Sequence, residues 1–155
     1  MITVTGAVGD FDFQEGHWTV RHEARTRDGG WATFEGECSM RKAMGGQANL
    51  EDHVWRRETT EYRAVGLRTF DPARAVWSIF WVDARWPATV GSPVVGGFAG
   101  NEGTFYSEEE ADGVKTLTRF SWTVDDDTHC RWEQASSADD GRSWETNWRM
   151  WFTRA

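Results

Sequence analysis

Few side chains in this 155-residue sequence can do chemistry, and long apolar stretches separate them. His22 stands in HWTVRHEAR at the same parity as Trp18, Val20 and Ala24, so an extended chain puts it on their apolar side. An imidazole removed from water loses basicity and, kept neutral, could act as a general base on a bound molecule. Hydrogen-bonded to a neighbour, it is simply a core residue. Arg68, in GLRTFD, shares a side with Tyr62, Ala64, Gly66 and Phe70. If that side faces inward, the guanidinium needs an anion. A ligand carboxylate or developing enolate charge would serve, as would a structural partner such as Asp71 or a cross-strand Glu. Asp83 follows Trp77, Ile79 and Trp81 by parity, which places it at a strand end as an acid–base partner or a turn residue. Gln134, beside Cys130 and Trp132 by parity, could hydrogen-bond a ligand, as could Tyr62 and Tyr106.

Other chemistries find little footing. His17 and His22 point to opposite sides of one strand, and His53 and His129 have no ligand spacing, so no metal and no cofactor are expected. Cys38 and Cys130 form neither a disulfide framework nor a zinc pattern, and each reads as a small buried hydrophobe. A net charge of −8 offers no basic footprint for nucleic acid or an anionic membrane surface. The opening MITVTGAVGD has no positive n-region, and no apolar run is long enough for a membrane-spanning helix, so a cytoplasmic protein is expected.

The elements that must position these groups are strands. Residues 128–154 hold two alternating runs around ADDGR, a strong hairpin signal, with Trp144, Thr146, Trp148, Met150, Phe152 and Arg154 on one side. Upstream, Trp18 to Ala24 and Ala32 to Met40 alternate in the same way, and Gly36 in mid-strand suggests a bulge or bend. GQANLEDHVWR is a weaker third strand, EYRAVGLRTF a fourth and AVWSIFWVDAR a fifth. Residues 86–97 break the rhythm with two prolines and read as a loop long enough to be a lid. GFAGNEGTFYSEE, KTLTRFSWTV and the terminal hairpin complete about nine strands. No segment has a helical apolar period. The fold expected over residues 1–155 is all-β, one antiparallel up-and-down barrel whose closure removes exposed edges.

Eleven tryptophans exceed what packing a chain of this size needs. Indole is bulky and apolar yet carries an N–H, so it suits a cavity wall, a Trp-rich core or an interface. The cavity reading makes Trp81, Trp122, Trp132 and Trp148 its lining, with Arg68, Tyr62 and Gln134 as polar anchors.

Gly16-His17-Trp18 resembles the Gly-x-Trp signature of lipocalin and fatty-acid-binding barrels. In those families an Arg of the last strand packs over the Trp and closes the barrel floor, a part that falls here to Arg154. The chain as a whole resembles a widespread bacterial family of small lipocalin-like barrel proteins, through FDF…GHWTV, YRAVGLRTFDPARAVWSIFWVD, PVVGGFAGNEGTFY and RWEQASSADDGRSWETNWRMWFTR. That likeness implies a calycin-type barrel around a cavity and no particular reaction. Locally, Ser137-x-Asp139-x-Gly141-x-Ser143-Trp144 is similar to the Asp-box, a hairpin staple in which Asp binds turn N–H groups and Trp packs beneath.

Three readings follow. The first is a barrel binding a small apolar or aromatic metabolite. The second is a metal-free isomerase, cyclase or lyase on the same barrel, using His22 or Asp83 for proton transfer and Arg68 for charge. The third is a structural homodimer joined through outward Trp31, Trp55 and Trp151.

Overall fold

Alternation of apolar and polar residues with Gly- and Asp-containing turns produces ten antiparallel strands in the computed structural model, which describes residues 2–155. They are β1 Gly16–Arg25, β2 Trp31–Ala43, β3 Ala48–Arg57, β4 Thr60–Asp71, β5 Val76–Asp83, β6 Val94–Ala99, β7 Glu102–Ala111, β8 Val114–Asp126, β9 His129–Ser137 and β10 Glu145–Arg154. Each pairs with the next in sequence, and β1 pairs with β10, so the sheet closes into an up-and-down barrel. At the closing seam Trp18 faces Arg154 and Ala24 faces Trp148.

The strand count exceeds the expected nine because GFAGNEGTFYSEE is two strands. A two-residue turn, Gly100-Asn101, separates β6 from β7, and Gly100 takes the left-handed conformation there (φ 64°). β6 also claims Val94 to Gly97, which shortens the expected 86–97 loop to residues 84–93.

One end of the barrel is plugged by the segment before β1. A short 3₁₀ turn at Asp12–Gln14 sets Phe11 edge-on to Trp77, Phe98 and Trp122. Trp18 donates from Nε1 to the Gln14 carbonyl at 2.8 Å. The Arg154 guanidinium lies 4.3 Å above the Trp18 ring and donates to the Glu15 and Phe13 carbonyls at 2.8 and 2.5 Å. Phe11, Trp18, Trp77, Phe105 and Phe152 are fully buried here, each worth about 1.5–3 kcal/mol of transfer free energy.

Gly36 is not a bulge. β2 keeps an unbroken register with β1 and β3 around it. A Cβ at this position would lie 2.9 Å from the Trp55 Cβ and 3.0 Å from its Cα, so the residue is small because β3 approaches closely. Gly36→Ala is expected to force these strands apart at a cost of about 1–3 kcal/mol. A urea unfolding midpoint equal to wild type would show that the strands part there freely.

The bulges lie elsewhere. Between Thr146 and Trp148 the register of β10 on β9 shifts, leaving Asn147 as an extra residue. Trp144 therefore does not share the inward side of Trp148. It lies on the outer surface against Tyr106, 6.0 Å between ring centroids, beneath the Arg119 guanidinium at 4.4 Å. The Asp139 carboxylate accepts from Ser137 Oγ (2.8 Å), Ser143 N (2.8 Å) and Ser143 Oγ (2.6 Å), and Gly141 takes positive φ, 83°. These bonds, that to the Ser143 hydroxyl first, hold its pKa down at about 2.

Candidate functional site

The most concentrated chemistry sits on β3 and β4, where Asn49, Glu51, His53 and Trp55 alternate inward beside Arg68. Trp55, expected on the outside, is 2% exposed and faces the interior. Arg68 is fully buried. It donates from Nε to Asn49 Oδ1 and from Nη2 to Gln14 Oε1, both at 2.5 Å, and Nη2 lies 3.7 Å from Glu51 Oε2. Gln14 Nε2 donates to Glu51 Oε2 at 2.5 Å, and His53 Nε2 lies 2.8 Å from Glu51 Oε1. The anion beside Arg68 is thus a cross-strand Glu, while Asp71 caps its own turn by accepting from Ala73 N at 2.9 Å. Burial alone would raise the Glu51 pKa, but His53 and Arg68 outweigh it and hold the carboxyl at about 2. Burial lowers the Arg68 pKa while Glu51 raises it.

Next to this network runs a slot walled by Glu51, Arg68, Trp81, Trp122, Trp132 and Phe152. The expected Trp-lined cavity is therefore narrow, with room for roughly one water molecule, because the side chains interdigitate. Trp132 meets Phe120 and Trp148 edge-on, and Trp122 lies 5.4 Å from Phe152. Two buried donors bordering the slot, Arg68 Nη1 and Trp122 Nε1, have no hydrogen-bond partner. The Arg68 guanidinium carbon is 5.8 Å from the Trp122 ring centroid.

Toward the other end, His22 stacks on Phe34 at 4.8 Å and neighbours Trp55 and Trp148. Trp148 Nε1 donates to His22 Nδ1 at 3.1 Å. An indole N–H can only donate, so Nδ1 carries a lone pair and the proton of the neutral ring is on Nε2. Nε2 is itself buried and unpartnered. Burial first, and the charge of His53 second, push the His22 pKa down to about 3. The expectation that His22 serves as a general base fails on this geometry, because its lone pair is already engaged. It presents a donor.

Asp83 also has another partner. Its carboxylate takes a bidentate pair of bonds from Arg85 at 2.9 and 2.8 Å and a third from the Arg85 backbone at 2.9 Å, a turn-shaping role at the rim. Those bonds lower its pKa. The Arg85 guanidinium covers Tyr62, which stacks on Trp55 at 5.9 Å. Gln134 donates to Asn147 Oδ1 at 2.8 Å.

The barrel wall is thin at one seam. β5 and β6 pair only through Trp77 to Ile79 with Gly96 to Val94, so residues 80–83 of β5 and 107–111 of β7 have no β6 partner. The loop of residues 84–93 borders the resulting outer groove through Gly91 and Ser92. Ile79, Trp81 and Phe120 line both this groove and the interior slot, so these three side chains stand between solvent and the Arg68 network.

Among the described residues, Cys38, Glu51 and His53 place ligand atoms within 4.8 Å of one another. The trio could surround a small cation, although burial raises the Cys38 pKa far above that of a free thiol and the Arg68 guanidinium already neutralises Glu51.

Gln14, Asn49, Glu51 and His53 are the residues missed at the sequence level. The alternation Asn49, Glu51, His53, Trp55 was the available signal, with Arg68 awaiting an anion on the following strand.

No family model matches the chain, and no curated protein matches it. Solved structures do. A redesigned β-barrel, b11L5F_LGL, aligns with TM-score 0.51 at 10% identity over 99% of this chain and 99% of its own. A second, EF1p2_mFAP2b bound to DFHBI, aligns with TM-score 0.52 at 11% identity over 97% of this chain and 100% of its own. At such identity the likeness carries the fold alone, a closed antiparallel β-barrel.

Proposed function

We propose that this barrel binds a small, flat, apolar or aromatic molecule carrying an acceptor oxygen. The observation that carries the reading is the pair of unpartnered buried donors, Arg68 Nη1 and Trp122 Nε1, on one aromatic slot. Such a group left unsatisfied costs about 1–3 kcal/mol, and an acceptor that enters the slot recovers it. Because Glu51 already balances the Arg68 charge, a neutral carbonyl suffices. Entry runs through the thin seam, with Trp81 and Phe120 swinging aside to widen the slot. The barrel bound to DFHBI supports the reading only as an example of this architecture holding a small molecule. The Trp18–Arg154 plug fits kinship with lipocalin-like barrels. The dimer reading loses one of its three residues: Trp55 lies inside, Trp151 is half-buried beneath Arg21, and Trp31 stays exposed beside Arg25 and Arg149.

Quenching of Trp fluorescence by 2-tetralone, 2-acetylnaphthalene and naphthalene tests this proposal. The two ketones are expected to bind about tenfold or more tightly than naphthalene, as one recovered hydrogen bond implies. Trp122→Phe should erase that difference. Equal affinity of all three for the wild type, or no quenching by any, rules the reading out.

A further inference from the structure

His53 is a buried imidazole with one nitrogen committed and one free. Its Nε2 lies 2.8 Å from a Glu51 oxygen, and a carboxylate set beside the Arg68 guanidinium and accepting from Gln14 takes a donor there, so Nε2 carries the proton. Nδ1 has no partner, although the residue is 1% exposed. In the neutral ring that atom is a lone pair oriented by a carboxylate behind it, the arrangement that makes an imidazole a proton acceptor in catalysis. The ring packs on Trp81 at 5.4 Å and on Phe152 at 6.2 Å, two walls of the slot that Glu51 also lines. Two unfilled donors, Arg68 Nη1 and Trp122 Nε1, belong to residues lining the slot, and this unfilled acceptor sits on a ring behind its Trp81 wall, the side chain that must move for a ligand to enter.

We infer that Glu51 and His53 form a proton-transfer dyad that enolises a carbonyl compound held in the slot, Arg68 and Trp122 receiving the oxygen. This rests on the binding reading above. In the step, the C–H bond next to the carbonyl breaks and its proton moves to His53 Nδ1. The freed electron pair becomes the carbon–carbon double bond, and the carbonyl π pair moves onto oxygen. Return of a proton to carbon regenerates the base, with no oxidant, reductant or second substrate consumed. Charge placement favours the step. The new imidazolium faces the Glu51 carboxylate, and the new oxyanion faces the Arg68 guanidinium, so both charges develop against fixed opposite ones. The substrate class is an enolisable ketone or aldehyde on a flat apolar frame, and the reaction class is isomerisation by proton shift. The assignment moves the base from His22, whose lone pair Trp148 occupies, to His53.

Deuterium uptake by 2-tetralone in D2O, followed by proton NMR, tests the proposal on the intact protein. Wild type is expected to accelerate exchange next to the carbonyl about 10²–10⁴-fold over buffer, the usual reach of a positioned base. His53→Gln keeps an N–H for Glu51 but has no basic nitrogen, and should return exchange to near the buffer rate while 2-tetralone still quenches Trp fluorescence. His53→Asn, which keeps an amide near the Nδ1 position instead, should lose exchange in the same way. Histidine ¹⁵N spectra of the wild type, which need no variant, should show the proton on Nε2. Undiminished exchange in either variant, tight binding without exchange in wild type, or a neutral ring protonated on Nδ1 overturns the dyad and leaves binding intact. Absence of quenching by 2-tetralone overturns the binding reading first, and the dyad with it.

Discussion

Arg68→Met is expected to destabilise the protein by about 3–5 kcal/mol, the usual result of deleting one partner of a buried ion pair. The methionine replaces the aliphatic stem and leaves only the small space of the guanidinium head, so most of the loss is electrostatic. Glu51 keeps its charge without the nearest cation, and Asn49 Oδ1 and Gln14 Oε1 each lose a donor held at 2.5 Å. A carboxylate so placed recovers by taking up a proton, so the variant should regain stability on mild acidification where wild type loses it. Glu51→Gln in the same background should restore part of the loss, because a neutral amide needs no counter-charge. Urea unfolding followed by Trp fluorescence of wild type, the double variant and both single variants, Glu51→Gln alone included, gives these values and the coupling between the two sites. A cost below about 1 kcal/mol for Arg68→Met alone would show that the network adds little to stability.

The second large effect is acid sensitivity. His22 has a native pKa of about 3 against 6.5 for the free group, with burial as the main cause. Between these values the unfolded chain binds a proton at this position and the native chain does not, so stability falls as pH falls through the window. The whole shift corresponds to roughly 5 kcal/mol at its ceiling. Glu51 adds in the same direction lower down: its native pKa of about 2 lies below 4.5, so its contribution is present above pH 4.5 and disappears as pH approaches 2. Stability should therefore be flat above pH 6.5 as far as these two groups are concerned, then decline in two stages. His22→Phe should flatten the first stage and leave the second, as read from urea midpoints at stepwise pH. An unchanged first stage in this variant would assign the decline to another group.

Much of the architecture was legible because strand period is a strong signal. β1, β2, β4 and the two strands of the last hairpin follow from alternation alone, and Arg154 over Trp18 is what the likeness of Gly16-His17-Trp18 to lipocalin-type barrels implies. The errors have local causes. A two-residue turn preserves alternation across itself, so β6 and β7 read as one run. The extra residue at Asn147 reverses parity, which sent Trp144 to the wrong side. β3 misled most: its inward residues include Asn49, Glu51 and His53, while Leu50 and Val54 face outward, so hydropathy cannot tell which side is the core. Arg68 held the missing information, since a cation on an inward face requires an anion within reach, and the adjacent strand is where it must be sought.

Closure through β1 and β10 also governs how the chain can fold. Nine of the ten seams join strands that follow each other in sequence and can form as hairpins soon after both halves exist. The tenth sets Trp18 against Arg154, so it carries nearly the full loop-closure entropy of the chain and cannot zip until the last strand is available. Until then eight hairpins form an open, curled sheet with two bare edges, and the Trp18 indole has no guanidinium to cap it. The aromatic floor is therefore completed late, and a chain halted before β10 lacks Trp148, Met150 and Phe152 and leaves the Arg68–Glu51 pair in an interior still open to water.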